Sequence, residues 1–197
     1  MSSSRSDSTF SQQLDLLIAA LDQLDTAFAI VPRGTDRRSD ADWAAKVLLT
    51  RRSAKGGWVI TRDLSGAPNV PGWGISISYA RDWLAVAVSA HRAVGIDIEA
   101  DRLIPCSDWP THLMTRAEIA LLRREPALFL TVWTLKEALS KEAGTGLMVD
   151  GAMFDTAPFA AAPPFALSQR RHGGLACHWR LRLKDQLHHL AISLGPG

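Results

Sequence analysis

Carboxylates occupy every second position in residues 94–102, VGIDIEADR, which is otherwise largely apolar. Asp97, Glu99 and Asp101 would share one face of a strand, because successive side chains of a strand point to opposite sides. An unpaired carboxylate is expensive to bury, so these acids require water, a cation or a metal ion. From the alternation alone, an exposed face with paired surface acids is the more frequent arrangement, and an acidic binding site is the alternative.

A second candidate segment lies about forty residues further on and has helical periodicity. Apolar residues recur at helical spacing through residues 128–139 and predict a buried stripe. Trp133, Glu137 and Lys141 follow one another at intervals of four on a neighbouring stripe. An exposed Glu–Lys pair at this spacing would stabilise the helix by only about 0.3–0.5 kcal/mol. Trp133 favours instead a face that is partly covered.

Three carboxylates drawn from this strand and this helix would provide an all-oxygen site. Magnesium suits such a site, because it binds few protein carboxylates, keeps several waters and contacts substrate phosphates. Softer metals prefer histidine or cysteine, and neither occurs in these two segments.

The two segments resemble the 4′-phosphopantetheinyl transferase superfamily. Its pattern joins a G-[IV]-D-[IV]-E strand to a W-[ST]-x-K-E-[AS]-x-x-K-x-x-G-x-G-L helix, and this chain has GIDIE at 95–99 and WTLKEALSKEAGTGL at 133–147. The chain length and the closing LHHLAISL resemble the monomeric, internally duplicated Sfp-type branch. The matching residues are Gly95, Asp97, Glu99, Trp133, Lys136, Glu137, Lys141, Gly144, Gly146 and Leu147.

The resemblance implies a transferase of the holo-[acyl-carrier-protein] synthase type. Such enzymes move 4′-phosphopantetheine from coenzyme A to a serine of an apo acyl or peptidyl carrier protein and release adenosine 3′,5′-bisphosphate. Asp97, Glu99 and Glu137 would then bind Mg²⁺, and Glu137 would also act as base for the serine. Lys141 would contact the α-phosphate and assist the leaving group. The sequence does not say which carrier or pathway, whether fatty-acid, polyketide or non-ribosomal peptide, is served.

Two positions on the nucleotide side depart from the family pattern. Tyr79, after Ser78 in GISISYA, replaces the histidine that in the family contacts the 3′-phosphate. Ala67 replaces the cation of a G-[KR]-P element near the adenine. We therefore predict an active enzyme that either binds coenzyme A weakly or holds the 3′-phosphate in another way.

Basic residues of segment 33–55 are candidates to compensate. Lys46 lies on a predicted helix where the family has a basic residue, so we predict that it binds the cofactor together with Ser78, Tyr79 and Lys141. For the other basic residues of the segment a solvated surface is the more frequent case. They are Arg33, Arg37, Arg38, Arg51, Arg52 and Lys55.

Glu118, in TRAEIALL, has two interpretations of equal weight. The family often has a glutamate in an F-[ST]-x-x-E segment at this place, which would help the base. An acid in the first turn of a helix also complements the helix dipole without any catalytic role.

The elements around these residues predict an α+β fold. Similar alternating runs at 81–88 and 187–194 suggest two halves, each an antiparallel sheet packed with a helix, as in a pseudo-dimer. We predict a flexible tail at 1–10, an N-terminal half at 11–100 and a C-terminal half at 101–197, which form one compact unit. Helices are predicted in 11–24, 39–54, 115–125 and 126–144, and three strands in 73–100.

Composition describes an ordinary globular chain of 197 residues with 47% hydrophobic residues and a net charge of +2. That charge is too small to indicate a nucleic acid partner. Cys106 and Cys177 stand alone and predict reduced thiols. The N-terminus lacks a signal-peptide pattern, and no window approaches the roughly 18 apolar residues that span a bilayer. We expect a cytoplasmic monomer without a membrane partner.

Two other functions stay open on the sequence alone. The nucleotide-side departures would suit a degenerate homologue that binds carrier proteins or coenzyme A without transfer. A metal-dependent hydrolase of another phosphorylated ligand would use the same acids. The three carboxylates together with Lys141 favour the transferase, because a protein that no longer catalyses has little reason to keep them.

Overall fold

A computed structural model describes residues 3–146, 154–170 and 173–197 and confirms the α+β class. Within these ranges, no helix has both the length and the apolar character needed to cross a membrane. The helices are α1 (Ser3–Gln23), α2 (Arg37–Ser53), α3 (Arg116–Arg124), α4 (Phe129–Ala143) and the short α5 (Ala157–Ala160). The strands are β1 (Thr26–Pro32), β2 (Thr61–Arg62), β3 (Pro68–Asn69), β4 (Trp73–Tyr79), β5 (Trp83–Ala90), β6 (Val94–Ala100), β7 (Ser168–Gln169), β8 (Leu175–Leu183) and β9 (Gln186–Leu194).

The two main sheets are antiparallel and share one connectivity. Their strand orders are β1-β5-β4 and β6-β9-β8-β7, and β2 and β3 form a separate small hairpin. In each main sheet a leading strand is followed by a helix and then by a hairpin, whose second strand pairs with the leading strand. The corresponding sets are β1, α2 and β4–β5 in one half, and β6, α4 and β8–β9 in the other. This shared order agrees with the predicted two similar halves.

The pairing of β6 bears on where the two halves divide. Strand β6, which we assigned to the half ending at residue 100, pairs with β9 from Val94 opposite Leu194 to Ala100 opposite His188. Sheet membership alone would place a boundary before Val94, and the division at residue 100 stays a prediction. The structure describes α1 from Ser3, within the segment predicted as a flexible tail.

The two sheets enclose a central apolar cluster, and helices cover their outer faces. Ile96 and Ile98 of β6 join Trp179 of β8 and residues of α1, β5 and β9 in this cluster. A second cluster lies between α2 and the first sheet, and a third lies under α3 and α4 against β8 and β9. Since Ile96 and Ile98 point into the centre, the opposite face of β6 turns its acids toward α4.

A close approach between β6 and α4 positions that face. A Cβ at Gly95 would lie 1.8 Å from the carbonyl oxygen of Ala138, so only glycine permits this packing. Asp97 follows two residues later on the same face, next to the last turn of α4. That helix ends at Gly144, whose left-handed φ of 67° lets its N–H reach the carbonyls of Lys141 and Ser140.

Candidate active site

The buried carboxylate of Asp97 lies at the centre of the candidate site, with 5% of the residue exposed. Its Oδ1 accepts hydrogen bonds from Lys141 Nζ at 2.7 Å and from Ser78 Oγ at 2.6 Å. Its other oxygen, Oδ2, is buried and has no hydrogen-bond partner among the described residues. Because buried polar atoms are almost always partnered, this oxygen marks a position where a further donor or a cation would be stabilised.

Lys141 connects the carboxylate to the outside of the site. Its Nζ also donates to the carbonyl oxygen of Ile96 at 3.2 Å, and 29% of its side chain is exposed. An ammonium group has three N–H donors, so one remains for a ligand after these two bonds. The ion pair with Asp97 also offsets part of the cost of burying that carboxylate.

Ser78, which we predicted to bind the cofactor, lies between β4 and β6. It is 5% exposed, its hydroxyl donates to Asp97, and the same Oγ accepts the backbone N–H of Ile98 at 3.3 Å. Ser76 accepts the N–H of Ile96 at 3.0 Å in the same way. The two serines thus join β4 to β6, and Ser78 fixes the orientation of Asp97 rather than facing the cavity described below.

Glu137 and Glu99 lie near Asp97 but are less buried than it is and have different neighbours. Burial, and then the negative charges of Asp97 and Glu99, raise the pKa of the half-buried Glu137, while Lys141 opposes this rise. Glu99 Oε2 accepts a bond from Arg102 Nη1 at 2.7 Å. Among the described residues, no three His, Cys, Asp or Glu side chains are gathered closely enough to hold a metal ion. The three predicted ligands therefore share one region, with basic partners on two of them.

A cavity of about 490 Å³ opens beside Lys141 and receives residues from both halves of the fold. The start of α2, the β2–β3 hairpin and β4 contribute from the first half, and the end of α4 contributes from the second. Its described lining holds three arginines, Arg37, Arg38 and Arg62, together with Lys141, and it holds no carboxylate. Its volume and charge suit an anionic ligand of nucleotide size.

The predicted nucleotide-side residues divide between this cavity and other places. Tyr79 and Ala67 line it, and the Tyr79 hydroxyl donates to the carbonyl oxygen of Arg37 at 3.2 Å. Burial raises the pKa of Tyr79, so its phenol stays neutral and supplies no charge. Lys46 is exposed on α2 and is not part of the lining, so its position does not support the predicted role.

The glycines that follow α4 also reach the cavity. Gly144 and Gly146 both line it, and both have positive φ. Leu147, the last matching residue of the motif, lies outside the described residues.

Sequence reasoning missed Arg62. Its side chain is only 14% exposed, and it pairs with Asp42 of α2. The signal that could have found it is its place on the hairpin, where Arg62 lies opposite Pro68 of the altered Gly-Ala-Pro element.

Glu118 proves to be part of a buried structural network. It caps α3 through Thr115, and its Oε1 accepts from Thr156 N at 2.8 Å and from Lys136 Nζ at 2.9 Å. Lys136 also donates to the carbonyl oxygen of Phe154 at 2.7 Å, and neither charged side chain is exposed. These contacts support the helix-terminal interpretation of Glu118 and extend it to the packing of α3 against α4.

The fold thus has a cationic cavity between two similar α+β halves, and a buried acid–lysine pair lies beside it. Such a site is typical of an enzyme that handles a phosphate-rich substrate. The sequence model of the 4′-phosphopantetheinyl transferase superfamily matches residues 93–193, just over half of the chain, from β6 into β9. The chain therefore belongs to that superfamily of transferases. No curated protein matches the chain. The matched region contains Asp97, Glu99, Glu137 and Lys141, whereas Arg62 lies outside it.

Proposed function

We propose that this protein transfers 4′-phosphopantetheine from coenzyme A to a serine of an apo acyl or peptidyl carrier protein. The observation that carries the proposal is the cavity, whose described lining has three arginines, Lys141 and no carboxylate. Coenzyme A bears a 3′-phosphate and a pyrophosphate, and these cations would neutralise both. The cavity adjoins Asp97, the first acid of the family motif, through Lys141.

The carboxylates near Asp97 have the oxygen donors that magnesium prefers, but in the described part of the chain three of them come close enough to hold the ion only if side chains rearrange. Asp97 contributes a buried oxygen that has no hydrogen-bond partner among the described residues, and Asp97 and Glu99 lie close enough to Glu137 for their negative charges to raise its pKa. The bond between Glu99 and Arg102 is a partly exposed ion pair, and such pairs exchange at little cost. We propose that Asp97, Glu99 and Glu137 hold the ion. When bound, magnesium would neutralise charge on the pyrophosphate.

Glu137 is the proposed base. The serine hydroxyl of the carrier attacks the phosphorus that bears pantetheine, and its proton passes to the Glu137 carboxylate directly or through a water. A new serine–phosphorus bond forms as the bond from that phosphorus to the bridging pyrophosphate oxygen breaks. Adenosine 3′,5′-bisphosphate leaves with the bridging oxygen.

Lys141 is the proposed stabiliser of the leaving group. Its two existing bonds, to Asp97 and to the carbonyl oxygen of Ile96, hold the ammonium at the edge of the cavity. Its third donor would reach the α-phosphate, where negative charge accumulates as the leaving group departs. Preorganised cations of this kind are effective because they need no reorganisation during the reaction.

Intact-mass measurement of an apo carrier protein tests the proposal. The carrier is incubated with coenzyme A, Mg²⁺ and this protein, using one carrier each from fatty-acid, polyketide and non-ribosomal peptide systems. We expect a mass gain equal to phosphopantetheine, and no gain with Glu137→Gln. If none of the three carriers gains mass, or if Glu137→Gln transfers as well as the wild type, the proposal is wrong. Calorimetric binding of coenzyme A without any mass gain would support the alternative of binding without transfer.

A further inference from the structure

Three arginines converge on the part of the cavity built by α2 and the β2–β3 hairpin. Arg37 and Arg38 begin α2 and are exposed, whereas the side chain of Arg62 is only 14% exposed. Arg62 and Arg37 lie near Tyr79, since both affect the titration of its phenol. Of these three arginines, Arg62 is the least exposed, and its guanidinium pairs with Asp42.

Asp42 orients the Arg62 guanidinium. Its Oδ1 accepts a bond from Arg62 Nη2, and the Asp42 side chain is itself only 25% exposed. A guanidinium has five N–H donors in a rigid planar fork, so a bond at one end directs the remaining donors elsewhere. Such a fork matches the geometry of a phosphate, which it can bind through two parallel hydrogen bonds.

The β2–β3 hairpin places the Arg62 guanidinium beside the altered Gly-Ala-Pro element. Arg62 lies opposite Pro68, and the neighbouring Ala67 has no charge to offer. Tyr79, the other altered position, uses its hydroxyl to contact the carbonyl oxygen of Arg37. Neither altered residue can therefore neutralise a phosphate, whereas Arg62 reaches the same cavity from the adjacent strand.

We propose that Arg62, oriented by Asp42, binds the 3′-phosphate of coenzyme A and thereby distinguishes coenzyme A from dephospho-coenzyme A. This inference rests on the proposed function, because it assumes that the cavity holds coenzyme A. It makes Arg62 a specificity-determining residue, and it leaves the pyrophosphate and the transfer step to Lys141 and the three carboxylates.

Calorimetric titration with two ligands tests the inference. Coenzyme A and dephospho-coenzyme A differ only in the 3′-phosphate, so the ratio of their dissociation constants isolates that contact. We expect the wild type to prefer coenzyme A, and Arg62→Gln to bind it roughly ten- to a hundredfold more weakly, as for one charge-assisted hydrogen-bonded pair. Binding of dephospho-coenzyme A should change little, so the preference should collapse.

Two further variants complete the design. Arg51→Gln removes one positive charge from the same helix as Asp42 but lies outside this cavity, so it should keep the wild-type ratio. Arg62→Lys keeps the charge without the planar fork, and it should lose part of the preference. If Arg62→Gln does not fold, the ratio of the two dissociation constants is measured for Arg62→Lys instead.

The outcomes separate this inference from the proposed function. A wild type that binds coenzyme A and dephospho-coenzyme A equally well, or an Arg62→Gln variant that weakens both ligands by the same factor, overturns the role of Arg62 alone. A wild type that binds neither ligand overturns the proposed function and this inference with it.

Discussion

At the scale of single residues, the site depends on how Asp97 is held as much as on which acids are present. Ser78 and Lys141 both donate to Oδ1, and this leaves Oδ2 for a further partner. A carboxylate with one oxygen fixed by two donors has little rotational freedom. The orientation of Asp97 should therefore contribute to turnover separately from the binding of the substrate.

Ser78→Ala tests this separation. The variant removes a hydrogen bond to a buried charge, which is worth about 1.5–3 kcal/mol, so we expect reduced stability and a kcat lower by about tenfold or more. The KM for coenzyme A should change little, because Ser78 is not part of the cavity lining. Steady-state kinetics of carrier modification and thermal denaturation would measure both effects.

Ser89→Ala is the matched control for Ser78→Ala. Ser89 is likewise a buried strand serine, and its hydroxyl bonds Thr26 Oγ1 at 2.8 Å, away from Asp97. It should lose stability but keep its kcat. If Ser78→Ala raised only the KM, or left kcat unchanged, the positioning role of Ser78 would be refuted.

At the scale of elements, the contact between β6 and α4 brings together the two parts of the family motif. A Cβ at Gly95 would meet not only the carbonyl oxygen of Ala138 but also the backbone N of Glu142, at 2.8 Å. Backbone atoms of a buried helix cannot move aside as the end of a flexible side chain can. The glycine of GIDIE is therefore required by packing, independently of any role in chemistry.

Gly95→Ala should destabilise the protein by about 3 kcal/mol or more, at or above the upper end of ordinary overpacking. It should also displace Lys141 from Asp97 and so lower activity. Gly56→Ala is the control, because nothing lies within 4 Å of a Cβ at that position, and its stability should change by less than about 1 kcal/mol. Urea denaturation of both variants measures the difference, and a Gly95→Ala protein as stable as the wild type would contradict the packing argument.

At the scale of the whole molecule, buried histidines should make the stability of the fold depend on pH. Burial lowers the pKa of His178 below its ordinary value of 6.5, although its ring contacts the carbonyl oxygen of Ala162 at 3.1 Å. Burial also lowers the pKa of His189, against the opposing effect of Asp101. Both groups resist protonation in the fold and accept a proton readily once the chain unfolds.

The contribution of these two histidines to stability should therefore be complete above the pKa of histidine in the unfolded chain, near 6.5. It should be lost as the pH drops below that value. We expect the wild-type Tm to decrease between about pH 7 and pH 5, and we expect a shallower decrease for His178→Gln, whose amide can still donate to Ala162. His112→Gln, at an exposed position, should keep the wild-type slope. Differential scanning calorimetry across this range is the measurement. A Tm that is flat or that rises toward acid pH would show that these histidines do not control the transition.

The sequence by itself determined the local elements and the identity of the acids. Apolar spacing located α3, α4 and the strands β4 to β6 to within a few residues, because helix and strand periods depend only on neighbouring positions. The GIDIE strand and the WTLKEALSKEAGTGL helix likewise indicated the superfamily, and the family match from residue 93 to residue 193 confirmed it. Motifs of this kind record residue types and spacing, and both are present in the chain before it folds.

Only the tertiary structure decided which partners these residues have. It directed Ser78 to Asp97 across two strands, paired Glu118 with Lys136 in the interior and brought Arg62 into the cavity in place of Lys46. It also moved β6 into the second sheet by pairing it with β9. The physical reason is that such contacts join elements far apart in the chain, so they follow from how the sheets and helices pack and not from any local period.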